Sequence, residues 1–410
     1  MFRQMIHFTR RFVSPPVLRL FIFVGIVWAA IVGPLSSVLV LKGIGATSQQ
    51  IGVFTAICAV ISMVFQPIWG VLSDKVGSPR RVLCFCLGAS AAFFGCVLLT
   101  QNFYAAAGLF FLDTMFRCCV ISLLDSHTLF EVNVIPGLQY SHIRMAGSVF
   151  FGSLSFVYGR IISAEGVRAI VPLSMGVAVF AVLFGLFAAK GQWEAAKEPG
   201  DVRRARPNLK KEAMILLANK RYIIFLIFTA LWALAVMPMY TFIIDYVTAV
   251  GGNPGDVPMI HAISCAVELP FFILAGTVGR RIEPQRLMLA GTCFSLAFMA
   301  GLLFANTFFW LGACHILGAP GFILVLTGRM RFLSDIAPES VRSTSITLMG
   351  ACEVGLGSIV GNLIAGFVSG IYGTRALTLV SMAAICASMM VLVFVLGMPR
   401  LGRPDEREKT

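Results

Sequence analysis

Charged residues are scarce in this chain. Asp, Glu, Lys and Arg make up 12% of its 410 residues, roughly half the share that soluble proteins carry, whereas hydrophobic residues make up 58%. Uncharged apolar runs recur along the whole sequence, and each is long enough for the roughly twenty residues that a helix needs to cross a bilayer. The composition excludes an ordinary soluble protein and predicts an all-α membrane protein.

The sequence also lacks the motifs of the common enzyme classes. It has no Walker-type phosphate loop, no catalytic triad with usable spacing and no cluster of metal ligands. The eleven cysteines are scattered through apolar segments without the spacing of a metal site or a disulfide framework. No cleavable signal peptide is visible at the start. We therefore expect that the protein is not an enzyme and that it binds no metal and no cofactor.

Basic residues are unevenly distributed between the two sides of the membrane. Of the 32 Lys and Arg, 25 fall on one side of the assigned spans, and three lie inside spans. Four fall on the other side: Lys42, Arg160, Arg168 and Arg375. By the positive-inside rule this predicts a cell (inner) membrane protein with both termini in the cytoplasm. The net charge of +13 thus reflects topology, and we expect no nucleic-acid partner.

Twelve apolar stretches are predicted to span the membrane. They are residues 17–41, 48–72, 81–100, 103–129, 140–162, 168–189, 222–248, 256–279, 286–306, 308–333, 343–371 and 374–398. The widest polar interruption follows the sixth. We predict an N-terminal six-helix bundle at 1–189, a cytoplasmic linker at 190–221, a C-terminal six-helix bundle at 222–398 and a cytoplasmic tail at 399–410.

An internal repeat supports two related halves. The loop from Gly70 to Arg81 after span two has a shorter counterpart from Gly276 to Arg281 after span eight. Gly147-Ser148 in span five is likewise echoed by Gly357-Ser358 in span eleven. Two parallel repeats with a site between them are an architecture of transporters.

The Gly70–Arg81 loop resembles the Gly-x-x-x-Asp-Arg/Lys-x-Gly-Arg-Arg signature of the major facilitator superfamily. The matching residues are Gly70, Asp74, Lys75, Gly77, Arg80 and Arg81. The resemblance implies a fold of two pseudo-symmetric six-helix bundles, in which this loop acts as a cytoplasmic latch. A carboxylate such as Asp74 is stabilised near the positive end of a helix. A merely solubilising charged turn is the alternative.

Four further stretches resemble the branch that contains the lactose permease and the nucleoside-proton symporters. They are Leu123-Leu-Asp125, Tyr140-Ser-His-Ile-Arg144-Met-Ala-Gly147-Ser, Glu268-Leu-Pro270 and Pro338-Glu-Ser-Val-Arg342. Each motif is weak alone, but all occur in the order of that branch. The resemblance implies transport of a small solute by alternating access.

Charges inside the spans of the first half are candidate binding residues, because ionisable groups are costly in a membrane. Asp113 and Arg117 are i and i+4 neighbours on one helix face, and Asp125 can point into the same cavity. By resemblance, Asp125 and Arg144 bind solute hydroxyls, and Phe151 stands where the permease has a stacking tryptophan. Purely structural ion pairs are the alternative.

The second half offers candidate proton carriers. Glu268 and Glu353 lie near the middle of spans eight and eleven, where a carboxylic acid in a dry cavity can load and release a proton. His315 resembles the histidine of the permease's proton relay, but Gly318 occupies the position of its glutamate. His261 and Asp245 lie in the spans too, and Arg329 lies near the cytoplasmic end of its span.

The leading hypothesis is proton-coupled symport of a sugar, oligosaccharide or nucleoside by a monomer. Its partners are then the small solute, protons and the lipid bilayer, with the proton gradient as the energy source. The alternatives are proton-coupled import of a small aromatic carboxylate, proton-driven drug or metabolite export, and a sensor that has kept the fold without transport.

Overall fold

A computed structural model describes residues 15–135, 138, 140–188, 214–277, 282–337 and 341–396. Within them the predicted twelve helices are present, and we number these α1 to α12. The predicted tail at 399–410 and most of the predicted linker at 190–221 lie outside the described residues. In the described part of the chain, ten helical stretches are long and apolar enough to cross a membrane; one comprises most of α11 and α12, and α8 is not among the ten.

The first six helices are α1 at 15–43, α2 at Ser48–Val76, α3 at Pro79–Cys96, α4 at 103–134, α5 at Tyr140–Glu165 and α6 at Ile170–Phe187. The other six are α7 at 220–249, α8 at Asp256–Thr277, α9 at Pro284–Leu303, α10 at Phe308–Ile336, α11 at 342–372 and α12 at 374–396. A left-handed glycine, Gly373 (φ 81°), separates α11 from α12.

Local sequence explains several helix ends. The side chains of Thr47 and Gln50 form a reciprocal capping box that begins α2. Gly77 ends α2 with φ 68°, a conformation that favours glycine. Asn219 accepts a hydrogen bond from the backbone of Arg221, so α7 begins at Lys220, two residues earlier than predicted.

The two halves repeat one packing scheme. In the first half α1 packs on α5, α2 on α4 and α3 on α4; in the second, α7 packs on α11, α8 on α10 and α9 on α10. Each helix of a packed pair in the second half comes six helices after its counterpart in the first half. The described residues therefore form the two pseudo-symmetric six-helix bundles that the sequence predicts.

The halves meet most closely at one side of the membrane. A Cβ on Gly52 of α2 would lie 2.7 Å from the carbonyl oxygen of Asn362 and 2.9 Å from Cα of Gly366, both in α11. A Cβ on Gly159 of α5 would lie 2.7 Å from the carbonyl oxygen of Gly255, just before α8. Backbones this close leave no room for larger side chains. We call this region, at the α1–α2 turn, the sealed face.

Several helices depart from regular geometry, and two of the departures directly adjoin candidate site residues. α4 is interrupted between Phe103–Arg117 and Val120–Val134. α11 contains a π-helical segment at Glu353–Val360, a feature that is common at functional sites. Both irregularities change which way the following side chains point.

Candidate functional site

A cavity of about 350 Å³ lies between the halves. Its wall is formed by α1, α2, α4 and α5 from the first half and by α7 and α8 from the second. The polar lining residues are Ser36, Ser37, Thr55, Arg117, Ser155, Tyr240, Thr241 and His261. Hydroxyl groups are therefore the commonest polar groups in a mainly apolar lining, and Phe54 and Phe151 are its aromatic walls. A small cavity with a few polar groups on apolar walls is typical of a small-molecule site.

Arg117 lies on the cavity wall, and its positive charge is balanced by the Asp113 carboxylate. Its Nε donates to the Asp113 carboxylate at 3.0 Å, and its Nη2 donates to the Thr114 hydroxyl at 3.3 Å. Asp113 is fully buried behind it and accepts a second hydrogen bond from Ser90 at 2.5 Å. The pair is therefore close to neutral overall. The predicted i, i+4 pairing of Asp113 with Arg117 is present.

Asp125 and Arg144 lie near each other, as predicted, but in a different part of the site from Arg117. The Asp125 carboxylate accepts from the Tyr140 hydroxyl at 2.7 Å. Arg144 interacts electrostatically with Asp125 and stacks 3.9 Å from the ring centroid of Trp28. Arg117 lies on the cavity wall, whereas Asp125 is not among the residues that line this cavity.

Phe151 lies where the resemblance places an aromatic wall. It lines the cavity and meets Trp28 edge to face, with ring centroids 6.2 Å apart. Trp28 therefore joins Phe151 to Arg144. The sequence argument did not single out Trp28.

Glu268 lies at the boundary between the halves. It is half-buried in α8 and interacts electrostatically with Arg144 of α5 and with Tyr240 of α7. α5 and α8 approach closely here, because a Cβ on Gly152 would lie 3.1 Å from Cβ of Cys265. One arginine is thus shared by Asp125 of its own half and Glu268 of the other.

Glu353 forms an ion pair with Arg329, separate from the Arg144 cluster. Its carboxylate lies 2.6 Å from Nη1 of Arg329. Arg329 is buried, and its guanidinium lies 5.1 Å from the ring centroid of Trp232. Glu353 begins the π-helical segment of α11. Arg329 was expected only near a helix end, whereas here it is the partner of a candidate proton carrier.

The two histidines of the second half differ in their surroundings. His315 is buried, its Nδ1 bonds to the Leu311 carbonyl at 2.9 Å, and its ring meets Phe298 edge to face at 4.9 Å. His261 lines the cavity instead. The two rings interact electrostatically.

The loop predicted as a latch has one anchored residue and several exposed ones. Arg80 is buried and donates to the carbonyl oxygens of Gly185 and Leu186 in α6. Asp74, Lys75 and Arg81 are exposed, and Gly70 is half-buried. The counterpart Arg280–Arg281 lies outside the described residues. The anchored arginine ties the loop to the N-terminal bundle.

A polar network at the sealed face was not foreseen as a unit. Lys42 of α1 lies 2.6 Å from the Asp245 carboxylate of α7 and donates to Ser48 at 2.8 Å. Ser48 and Ser369 each donate to Asp245, at 2.7 and 3.1 Å. Both halves contribute to the network. The signals in the sequence were Lys42, a basic residue on the side that has few of them, and Asp245, a charge inside a span.

Comparison with known proteins identifies the family. The model of the family described as "MFS_1 like family" matches residues 19–380. The chain belongs to this family. It is therefore a multi-pass membrane transporter of the major facilitator superfamily, as the resemblance implied. Such a protein sits in the lipid bilayer and carries small molecules.

Individual relatives are distant in sequence, but their matches cover most of the chain. The chain is 24% identical over 373 residues to the maltose permease of Geobacillus stearothermophilus, covering 88% of this chain and 89% of the relative. It is also 24% identical over 330 residues to the uncharacterized transporter YwbF of Bacillus subtilis (strain 168), covering 79% of each. A crystal structure of a variant of the nucleoside transporter NupG superposes with a TM-score of 0.78 at 16% identity, covering 93% of this chain and all of NupG. That likeness shows the fold.

Proposed function

We propose that this transporter is a proton-coupled symporter that imports a small, uncharged polar solute, such as a sugar, oligosaccharide or nucleoside. The observation that carries the proposal is the cavity between the halves, where hydroxyl groups make up most of the polar lining and the Arg117 charge is balanced by Asp113. A neutral ion pair can hydrogen-bond hydroxyl groups without favouring an anion. The names of the maltose permease and of the nucleoside transporter agree with this class of solute.

Glu268 is the proposed proton carrier. Its carboxylate lies in a half-buried position beside Arg144 of the other half, so a change in its charge alters an interaction between the halves. Glu353 is the second candidate, because its ion pair with Arg329 would be released by protonation. Movement of the halves about the cavity would then couple the proton to the solute.

The proposed orientation follows from the basic residues. The side with few Lys and Arg is the sealed face, so the sealed face would be extracellular and both termini cytoplasmic, in the cell (inner) membrane. The present conformation would then be closed to the outside. We propose that a monomer transports, because one chain contributes both halves of the cavity wall.

Import of a small aromatic carboxylate is the second candidate, because the Arg117 guanidinium reaches the cavity wall. Uptake into proteoliposomes with an imposed inward proton gradient distinguishes import of a neutral polar solute from import of an aromatic carboxylate. We expect accumulation of radiolabelled maltose or uridine but not of benzoate. Accumulation of benzoate alone would favour the second candidate.

The same assay tests the coupling. Glu268→Gln should lose gradient-driven accumulation while retaining exchange of labelled for unlabelled solute, which needs no net proton movement. Glu165→Gln is the matched control, because Glu165 is exposed at the end of α5. Unchanged accumulation by Glu268→Gln would remove Glu268 from the proton path.

A further inference from the structure

The two halves carry the same trio of side chains with the charges exchanged. The first half has Trp28 on α1, Asp125 on α4 and Arg144 on α5; the second has Trp232 on α7, Arg329 on α10 and Glu353 on α11. The helices correspond under the repeat. Residues on corresponding helices of the two trios are 204, 204 and 209 positions apart in the chain. These separations are close to those of the repeated glycines, which are 206 for Gly70 and Gly276 and 210 for Gly147 and Gly357.

The geometry of the trios is related as well. In each, an arginine guanidinium lies near the tryptophan ring, at 3.9 Å from the centroid for Arg144 and 5.1 Å for Arg329. In each, an acid interacts with that arginine: Asp125 with Arg144, and Glu353 with Arg329 at 2.6 Å. An arginine stacked on an aromatic ring keeps its edge available for hydrogen bonds.

Two buried donors of the second trio lack acceptors within the described part of the chain. These are Nε1 of Trp232 and Nε of Arg329; Nη1 of Arg329 also lacks a hydrogen bond but forms the ion pair with Glu353. Trp232 is fully buried and Arg329 is 3% exposed. Buried N–H groups are paired in most folded proteins, so two unpaired ones in neighbouring side chains indicate a place for an oxygen acceptor. Nε1 of Trp28 is unpaired in the same way.

We propose that Trp232 and Arg329 form a second binding subsite, which accepts a hydroxyl or carbonyl oxygen of the transported solute. This subsite would be the counterpart, in the C-terminal half, of the Trp28–Arg144 pair. It rests on the proposed function for the solute class. An uncharged oxygen suits it better than a carboxylate, because Glu353 already balances the Arg329 charge. The Glu353 side chain beside Arg329 is 18% exposed.

The test removes one donor at a time and measures equilibrium binding to purified protein without a proton gradient. The probe is whichever of maltose and uridine the uptake assay shows to be carried. Trp232→Phe deletes the indole N–H and should weaken binding about tenfold, the effect of one lost buried hydrogen bond. Arg329→Lys keeps the charge but loses the Nε donor, and should weaken binding to a similar extent.

Trp310→Phe is the matched control. Trp310 is an exposed residue of α10 whose indole N–H already donates to the Gly301 carbonyl at 2.9 Å. Its substitution should leave affinity unchanged. Wild-type affinity in both Trp232→Phe and Arg329→Lys would overturn the subsite, even if the melting temperature fell, because the buried donors would then serve only the fold.

The result is independent of proton coupling. Binding without a gradient does not depend on Glu268, so wild-type binding by Trp232→Phe together with lost accumulation in Glu268→Gln would reject the subsite alone. Weakened binding by Trp232→Phe together with full accumulation in Glu268→Gln would support the subsite and reject the proposed role of Glu268.

Discussion

The Lys42 ammonium and the Asp245 carboxylate meet at 2.6 Å across the boundary between the two halves. Ser48 and Ser369 bond to the same carboxylate from α2 and α11. The pair lies beside the close approach of Gly52 and Gly366. Separation of the halves at the sealed face must break this ion pair, so the pair stabilises the conformation described here.

Neutralising Lys42 should make opening of the sealed face easier. A partly exposed ion pair contributes on the order of 1 kcal/mol, so Lys42→Gln should raise the open population about fivefold. The open population can be followed with a single cysteine at Ser36, on the cavity wall, in a variant without native cysteines. Opening of the sealed face should make a membrane-impermeant maleimide label this cysteine faster.

Arg160→Gln serves as the control for charge at the same side, because Arg160 is exposed on α5. It should label at the wild-type rate. The exchanged pair Lys42→Asp with Asp245→Lys should return labelling toward that rate. Equal labelling in Lys42→Gln and wild type would show that the ion pair does not hold the halves.

A side chain at Gly52 should also open the sealed face. The Cβ alone would lie 2.7 Å from the Asn362 carbonyl oxygen, and neither backbone can yield without separating α2 from α11. Gly52→Leu should therefore increase maleimide labelling at residue 36 and lower the transport rate more than tenfold, since each cycle must reseal this face. Gly108→Leu is the control, because a Cβ there has open space. Wild-type transport by Gly52→Leu would contradict the close approach.

Asp113→Asn should change which solutes the cavity prefers. The substitution keeps a side chain of similar size beside Ser90 but leaves the Arg117 charge uncompensated. We expect weaker binding of the neutral solute, a gain in benzoate binding and a lower melting temperature, because loss of one partner of a buried pair costs about 3–5 kcal/mol. Binding isotherms for both solutes measure the change. Unaltered selectivity would mean that Arg117 does not contact solute.

Removing one partner of the Arg329–Glu353 pair should harm stability more than removing both. Glu353→Gln leaves Arg329 buried without a counter-charge, at a cost of about 3–5 kcal/mol. The double variant with Arg329→Gln should recover part of the loss in melting temperature. Additive losses in the double variant would indicate that the two side chains act independently.

The sequence predicted the fold well because its signals are local. Apolar run length and the repeated loop at Gly70 and Gly276 were enough for twelve helices in two related bundles. The pairing of Asp113 with Arg117 was also within reach, since the two residues share one helical face.

Contacts between distant helices could not be predicted in the same way. Lys42 and Asp245 are 203 residues apart, and nothing local indicates that they meet. The break in α4 and the π-helical segment at Glu353 changed the direction of side chains beyond them, which regular periodicity cannot foresee. Arg329 was interpreted as a helix-end residue because its partners, Trp232 and Glu353, lie on two other helices that its local sequence does not indicate.

Proton uptake with the solute is the central claim, and external pH in a weakly buffered suspension of de-energised cells tests it most directly. Addition of maltose or uridine to cells that contain the protein should cause a transient alkalinisation, which cells with Glu268→Gln should lack and cells with Glu165→Gln should retain. Uptake of either labelled solute without any alkalinisation would contradict proton symport.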